Sequence, residues 1–414
     1  FAFQSALGGG CATLVLRALA PSYYDIPNQL PESAGITSRD LLSLFIFWFT
    51  CIPCVLTRPE KLKYLFIAKS VLTPIGFFAL LGWSVHEAGG LGPIVSLPAT
   101  LEGSKLGWAF IFAITSQLSN MVTLLVNCAD FARLAKKPSN VVWPQLIAMP
   151  ASFTITSLVG LWIASSSKVI FNTSVMNPLD LLSLRLDLNP FDAASRAGCF
   201  FIGACFWIGQ IGTNIAANSL SAGSDGAALL PKYIDIRRGG LICACVAILV
   251  QPWRLVASEN FATYLGSYSV LLSPFLGIML SDYYIIRRGR LNIPHMYTTE
   301  PGTDYMYGYG VNWRAAIAYI CGLAINMPGF IGAGTGSFMN EGVERIYQLA
   351  FFAGLLVSGG IYLLCCAVSL PQGGVPFGEK GWFEPEGGYE DEKWLAHMPV
   401  ASKDESEAVK PELA

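Results

Sequence analysis

Ten apolar segments divide the chain, each approaching or reaching the ~20 residues that a helix needs to cross a bilayer. They fall at about 1-19, 40-57, 64-85, 107-130, 143-164, 197-219, 238-253, 259-286, 313-335 and 343-368. Short polar loops separate them, and after about residue 370 the sequence turns polar and rich in Pro, Gly and acidic residues. The pattern predicts an all-α integral membrane domain over 1–370 and a soluble, poorly ordered tail over 371–414. Phe1 already lies within an apolar segment with no charged stretch before it, so the start does not read as a signal peptide and the chain is expected to be truncated there.

Composition agrees with the membrane reading: 53% of residues are hydrophobic, 13% are charged, and mean hydropathy is +0.50. A net charge of -2 leaves no basic surplus for nucleic acid. Basic residues concentrate in alternate loops: Arg58, Lys61 and Lys63; Arg133, Lys136 and Lys137; Lys232, Arg237 and Arg238; Arg287, Arg288 and Arg290. Because basic loops stay in the cytoplasm, this asymmetry places the C-terminal tail inside.

Polar groups are costly in hydrocarbon, so stripes of amides along apolar helices are expected to face protein or water. One stripe is Gln210, Asn214 and Asn218 with Thr213 beside it. The other is Ser116, Asn120, Thr123, Asn127 and Asp130. Interhelical hydrogen bonding is the plain explanation of such residues, and a cavity for a neutral, polar, planar solute is the sharper one. Glycines and prolines inside the segments, among them Gly8 to Gly10, Pro53, Pro74, Gly209, Gly212, Pro274 and Gly277, fit close helix packing or broken helices lining a cavity. Asp282 stands beside a basic run at a segment end, where a local ion pair is expected. The eleven cysteines lie mostly in apolar runs without metal-ligand spacing, and the three histidines fall in predicted loops or the tail. No enzyme chemistry and no cofactor or metal follow from these residues.

The stretches NCADFARLAKKP, GTNIAANSLSAGSDGAALLPKYIDIRRG, SPFLGIMLSDYYIIRRGRLNIPHMY and YGYGVNWRA resemble the nucleobase-cation symporter-1 family, in its fungal uracil, allantoin and uridine permease branch. The resemblance runs from Phe1 to about residue 370. It implies a sodium-leucine-transporter-like fold: two inverted five-helix repeats followed by two C-terminal helices. This chain would then lack helices 1-2 and the start of helix 3. The resemblance further implies that Gln4 and Asn218 bind substrate, and that Ser119 and Asn120 occupy the helix 6 substrate position, where a bacterial hydantoin transporter has Gly and a stacking Trp. The helix 3 stacking Trp would fall one place before Phe1.

Gly209, Gly212 and Thr213 match a sodium site whose serine oxygen is missing, so a proton rather than sodium is the expected coupling ion. Leu265 and Tyr268 fall where the family has its outer gate. In the tail, Glu390, Asp391 and Glu392, followed by Lys403 and Lys410, resemble tails through which fungal permeases meet the ubiquitination machinery.

The expected function is proton-coupled symport of a nucleobase or related heterocycle such as uracil or allantoin across the plasma membrane. Two alternatives stay open: a non-transporting fragment or degenerate permease, and an amino-acid transporter of the same fold.

Overall fold

The computed structural model describes residues 1–384 except 99, 133, 134, 138, 257–260, 297, 299 and 301. In chain order its α-helices are α1 (Ala2–Leu19), α2 (Ser38–Val55), α3 (Lys63–Ala88), α4 (Gly103–Val126), α5 (Cys128–Ala132), α6 (Ser139–Phe171), α7 (Pro178–Leu188) and α8 (Ala193–Thr213). They continue with α9 (Leu220–Leu229), α10 (Ile236–Leu249), α11 (Pro252–Val256), α12 (Phe261–Ser281), α13 (Trp313–Ala324), α14 (Met327–Thr335), α15 (Glu341–Gln348) and α16 (Ala350–Val368). A π turn over Asn214–Ser219 joins α8 to α9, and another over Asp282–Ile286 extends α12.

Every one of the ten apolar segments is helical, and eight spans among the described residues are long and apolar enough to cross a membrane. α1 is not one of the eight, because Gln4, three consecutive glycines and Arg17 dilute its apolar residues; α10 has 14 residues and is too short.

Two compact units emerge from the packing: Phe1–Glu102 with Asn127–Phe261, and Gly103–Val126 with Ala262–Ala414. In the first, Leu14 of α1, Leu80 of α3, Ile163 of α6, Leu182 of α7 and Cys199 of α8 share one apolar cluster, while Ala12, Phe47, Cys51 and Ile215 form another. Glycines set the helix spacing there. A Cβ on Gly8 would run into the Phe47 ring, and one on Gly9 would lie 3.0 Å from the Leu44 Cα, so α1 and α2 touch almost backbone to backbone. Gly8→Val is expected to destabilise the folded protein by about 1–3 kcal/mol through overpacking, read as a lower Tm in detergent. An unchanged Tm would mean that Phe47 moves aside freely.

Polar ends of the helices are satisfied locally. Thr37 caps α2, its hydroxyl accepting from the Asp40 N–H at 3.2 Å and donating to the Asp40 carboxylate at 2.6 Å. Asn177 caps α7 ahead of Pro178, and Asp192 caps α8. The hydrogen bonds that the Asp192 carboxylate accepts from Ser195, side chain and backbone, hold its pKa below the usual carboxylate value.

In the second unit, Ile286, Ala318, Tyr362 and Cys366 form the core between the end of α12, α13 and α16. The expected ion pair of Asp282 is there: its carboxylate accepts from Arg287 Nε at 2.8 Å and from the Tyr362 hydroxyl at 2.7 Å. Arg287 is fully buried, donates to the Tyr307 hydroxyl at 3.1 Å and lies 4.5 Å from the centre of the Tyr305 ring. Burial alone would lower its pKa, but Asp282, Tyr307 and Tyr305 outweigh that and raise it.

The expectation of a poorly ordered tail from 371 onward is corrected for its first part. Residues 371–384 fold back onto the end of α12: the Val375 N–H donates to Ile286 O at 2.8 Å, and the Phe383 N–H to Arg288 O at 2.9 Å. Trp382 stacks on Tyr284 with centroids 5.8 Å apart, and the close approach of its ring to Gly289, at φ +80°, explains the glycine. The polar composition hid this, because the anchoring comes from backbone hydrogen bonds, from Arg288 donating to the Phe377 and Glu379 carbonyls, and from two apolar side chains, Val375 and Trp382. Residues 385–414, with Glu390, Asp391, Glu392, Lys403 and Lys410, lie outside the described residues.

Candidate functional site

A cavity of about 610 Å³ opens in the first unit among α1, α3, α6, α7 and α8. Phe77, Phe78 and Phe206 contribute aromatic surface, and Gln4, Thr73, Asn177, Gln210 and Thr213 contribute polar groups. Gln4 Oε1 and Thr73 Oγ1 are buried without a hydrogen-bond partner among the described residues. A buried acceptor left unpaired costs about 1–3 kcal/mol, so a cavity wall carrying two such groups is suited to a ligand that satisfies them. Gln210, three residues before Thr213 on α8, adds a second amide with both donor and acceptor capacity.

Close packing of α3 on α8 shapes this wall. A Cβ on Gly209 would lie 3.3 Å from Thr73 Cγ2, and one on Gly212 would lie 2.7 Å from Lys69 Cδ. Gly209 and Thr213 line the cavity; Gly212 is buried against the Lys69 stem. Thr213 Oγ1 donates back to Gly209 O at 2.9 Å. The positions read as a cation-site remnant are therefore brought together with Lys69, which forms no ion pair among the described residues.

Asn218 is placed differently from Gln4. The amide stripe of α8 runs into the π turn at Asn214, where hydrogen bonds reach one residue further back and the four-residue face no longer stays aligned. Gln210 and Thr213 reach the cavity. Asn214 is fully buried, donates to Ser5 Oγ at 3.3 Å and accepts from Asn218 Nδ2 at 3.1 Å. Asn218 does not line the cavity wall, although its partner Asn214 bonds the residue next to Gln4.

Ser119, Asn120 and Tyr268 belong to the second unit. Ser119 is buried, donates to Thr115 O at 2.8 Å and meets Ser269, and it borders a cavity of about 490 Å³ with Phe112, Phe338 and Tyr347. Asn120 is exposed, and Tyr268 is 45% exposed. The side chain of Leu265 lies outside the described residues. The second polar stripe divides: Asn127 donates to Asp225 at 3.3 Å and Asp130 accepts from Ser224 at 3.0 Å, both within the first unit.

Residues 1–354 match the family model described as permease for cytosine/purines, uracil, thiamine, allantoin. The chain belongs to this family, the nucleobase-cation symporters. It is 37% identical to the allantoin permease of Saccharomyces cerevisiae over 93% of this chain and 62% of that protein. It is 34% identical to the uracil permease of the same yeast, over 95% of this chain and 64% of the relative. The uridine permease of that yeast is 36% identical over 94% of this chain and 60% of its own. The chain thus spans about three-fifths of the length of these curated relatives.

Among solved structures, it is similar to a nucleobase-cation-symport-1 family transporter in a closed conformation with bromovinylhydantoin bound. The TM-score is 0.65 at 20% identity, over 88% of this chain and 72% of that one. The inward-facing conformation of the same transporter gives a TM-score of 0.60, so the helices of this chain adopt the sodium-leucine-transporter-like fold expected from the sequence.

Sequence reasoning missed Thr73 and Lys69. Lys69 carried a signal, since it is a lysine inside the 26-residue apolar span Lys63–Ala88, where ionisable residues are rare and usually functional. Thr73 carried none, because a threonine in an apolar helix usually bonds its own backbone.

Proposed function

We propose that this permease takes up a nucleobase or related heterocycle, such as uracil or allantoin, across the plasma membrane by proton-coupled symport, with its C-terminus in the cytoplasm. One observation carries the reading: Gln4, whose buried Oε1 has no partner among the described residues, lines a cavity that also offers Gln210 and three phenylalanines. A planar heterocycle with ring N–H and C=O groups stacks on such rings and pairs both amide functions. The relatives named above as allantoin, uracil and uridine permeases support that substrate class.

Asn218, Ser119 and Asn120 remain proposed contacts. Asn218 would act by exchanging its bond to Asn214 for one to substrate. Tyr268 and Leu265 are proposed to gate the outer side. Proton coupling is favoured over sodium because Gly209 and Gly212 offer no side-chain oxygen, while Lys69, a titratable side chain, packs its stem against Gly212. Lys403 and Lys410 beside the acidic run Glu390 to Glu392 are proposed as contacts for the ubiquitination machinery.

Uptake of radiolabelled uracil tests the proposal, with allantoin, uridine and cytosine as competitors, by the complete permease in a permease-null yeast at acidic and neutral pH without sodium. Saturable uptake that falls at neutral pH is expected. Absence of uptake with protein at the cell surface would sink the reading, and would favour a non-transporting chain or another solute.

A further inference from the structure

A second, larger cavity of about 710 Å³ adjoins the first within the same unit, and Leu7, Asn177 and Leu179 line both. Its chemistry is different. Tyr24, in the turn after α1, has the Arg17 guanidinium carbon 4.0 Å and the Arg39 guanidinium carbon 4.3 Å from its ring centre, yet the residue stays 45% exposed.

Both guanidinia are already neutralised: Arg17 by Asp187 at 2.5 Å, Arg39 by Asp40 at 3.1 Å. Glu32 and Asp180 line the cavity as well, so it has no pull on a free anion. It offers instead guanidinium planes laid over the Tyr24 ring, with N–H donors and carboxylate acceptors around them, which suits an uncharged planar ring bearing C=O and N–H groups. The loop charge pattern puts the α1–α2 connection on the outward side.

We propose that this cavity is an outer capture site for the same heterocycle, in which Tyr24 and Arg39 hold the solute before it passes Leu7 and Asn177 to the inner cavity. The inference rests on the uptake reading above and goes beyond it by giving the loop after α1 a kinetic role. A capture site speeds approach to and departure from the inner site alike. Its loss therefore lowers kcat/KM and leaves the inner equilibrium constant unchanged.

Uptake kinetics of labelled uracil in the complete permease test this, alongside equilibrium binding to the solubilised protein. Tyr24→Leu and Arg39→Gln are expected to lower kcat/KM about fivefold with Kd held within about twofold, and Tyr24→Phe, which keeps the ring, to behave as wild type. Unchanged kcat/KM in both variants overturns the proposal. So does a Kd that weakens in step with kcat/KM, the signature of residues that only brace the loop. A wild-type protein that transports none of the heterocycles removes the uptake reading itself, and the capture site with it.

Discussion

Gln4→Ala is expected to weaken binding of the transported heterocycle by roughly 5- to 150-fold, the equivalent of about 1–3 kcal/mol, while leaving the folded protein at least as stable. The two effects have opposite signs for one reason. Gln4 Oε1 is buried and unpartnered among the described residues, and an acceptor so placed carries a desolvation cost in the folded protein. Alanine removes that cost along with the acceptor that a substrate N–H would use. A residue that only braced α1 against its neighbours would show the reverse, with Tm and binding falling together. Uptake KM, equilibrium Kd and Tm measured on the same variant separate the cases. Unchanged KM and Kd would remove Gln4 from the site.

Asn218→Ala offers the contrast. Its amide already bonds Asn214, whose own amide bonds Ser5 beside Gln4. A substitution there disturbs a buried network as well as any contact with substrate, so loss of uptake in that variant alone would not place Asn218 against the ring.

The helices were legible because spanning a bilayer demands long apolar runs, and nothing else in this chain produces them. α1 falls short of the eight longer, more apolar spans because Gln4, its glycines and Arg17 dilute it, and α10 because it ends after 14 residues. The amide stripe was legible as a stripe, but its direction was not. A π turn beginning at Asn214 leaves no mark in residue spacing, so Gln210 and Asn218 read as one face and part company in the fold.

Gln4 is expected at the site only through resemblance to a family pattern; the fold adds that its amide oxygen is buried without a partner among the described residues. Thr73 needed the fold, because only the packing of α3 against Gly209 turns its hydroxyl into a buried group beside the cavity. The docked segment 371–384 was hidden for a similar reason. Its contacts are backbone hydrogen bonds, Arg288 donating to the Phe377 and Glu379 carbonyls, the buried Val375 and one stacked indole, which a polar composition does not announce.

Lys69→Met is expected to abolish the dependence of uptake on external pH and to lower the acidic-pH rate on the order of 100-fold, because proton coupling then has no titrating group at Gly212. The argument begins from cost. A lysine at the centre of a membrane helix costs about 2.5–3.5 kcal/mol on insertion scales; Lys69, in the second turn of α3, carries part of that cost, and among the described residues no carboxylate pairs with it. Its stem lies against Gly212, beside Gly209 and Thr213, where the family resemblance places a cation. The Lys69 ammonium, carried on the stem that packs between α3 and α8, supplies a positive charge that proton loss removes, which would link protonation to the packing of α3 against α8.

Lys69→Arg separates charge from titration. Its guanidinium keeps the positive charge at every working pH, so it is expected to bind the heterocycle but to transport slowly and without pH dependence. Sodium should rescue neither variant, since glycines at 209 and 212 supply no side-chain oxygen to complete a sodium shell. Uptake in permease-null yeast across a pH series, with and without sodium, reads all of these outcomes. A Lys69→Met permease with the wild-type pH profile would show that the proton is carried elsewhere, and sodium-dependent uptake by the wild type would show that the glycines do not disable the cation site.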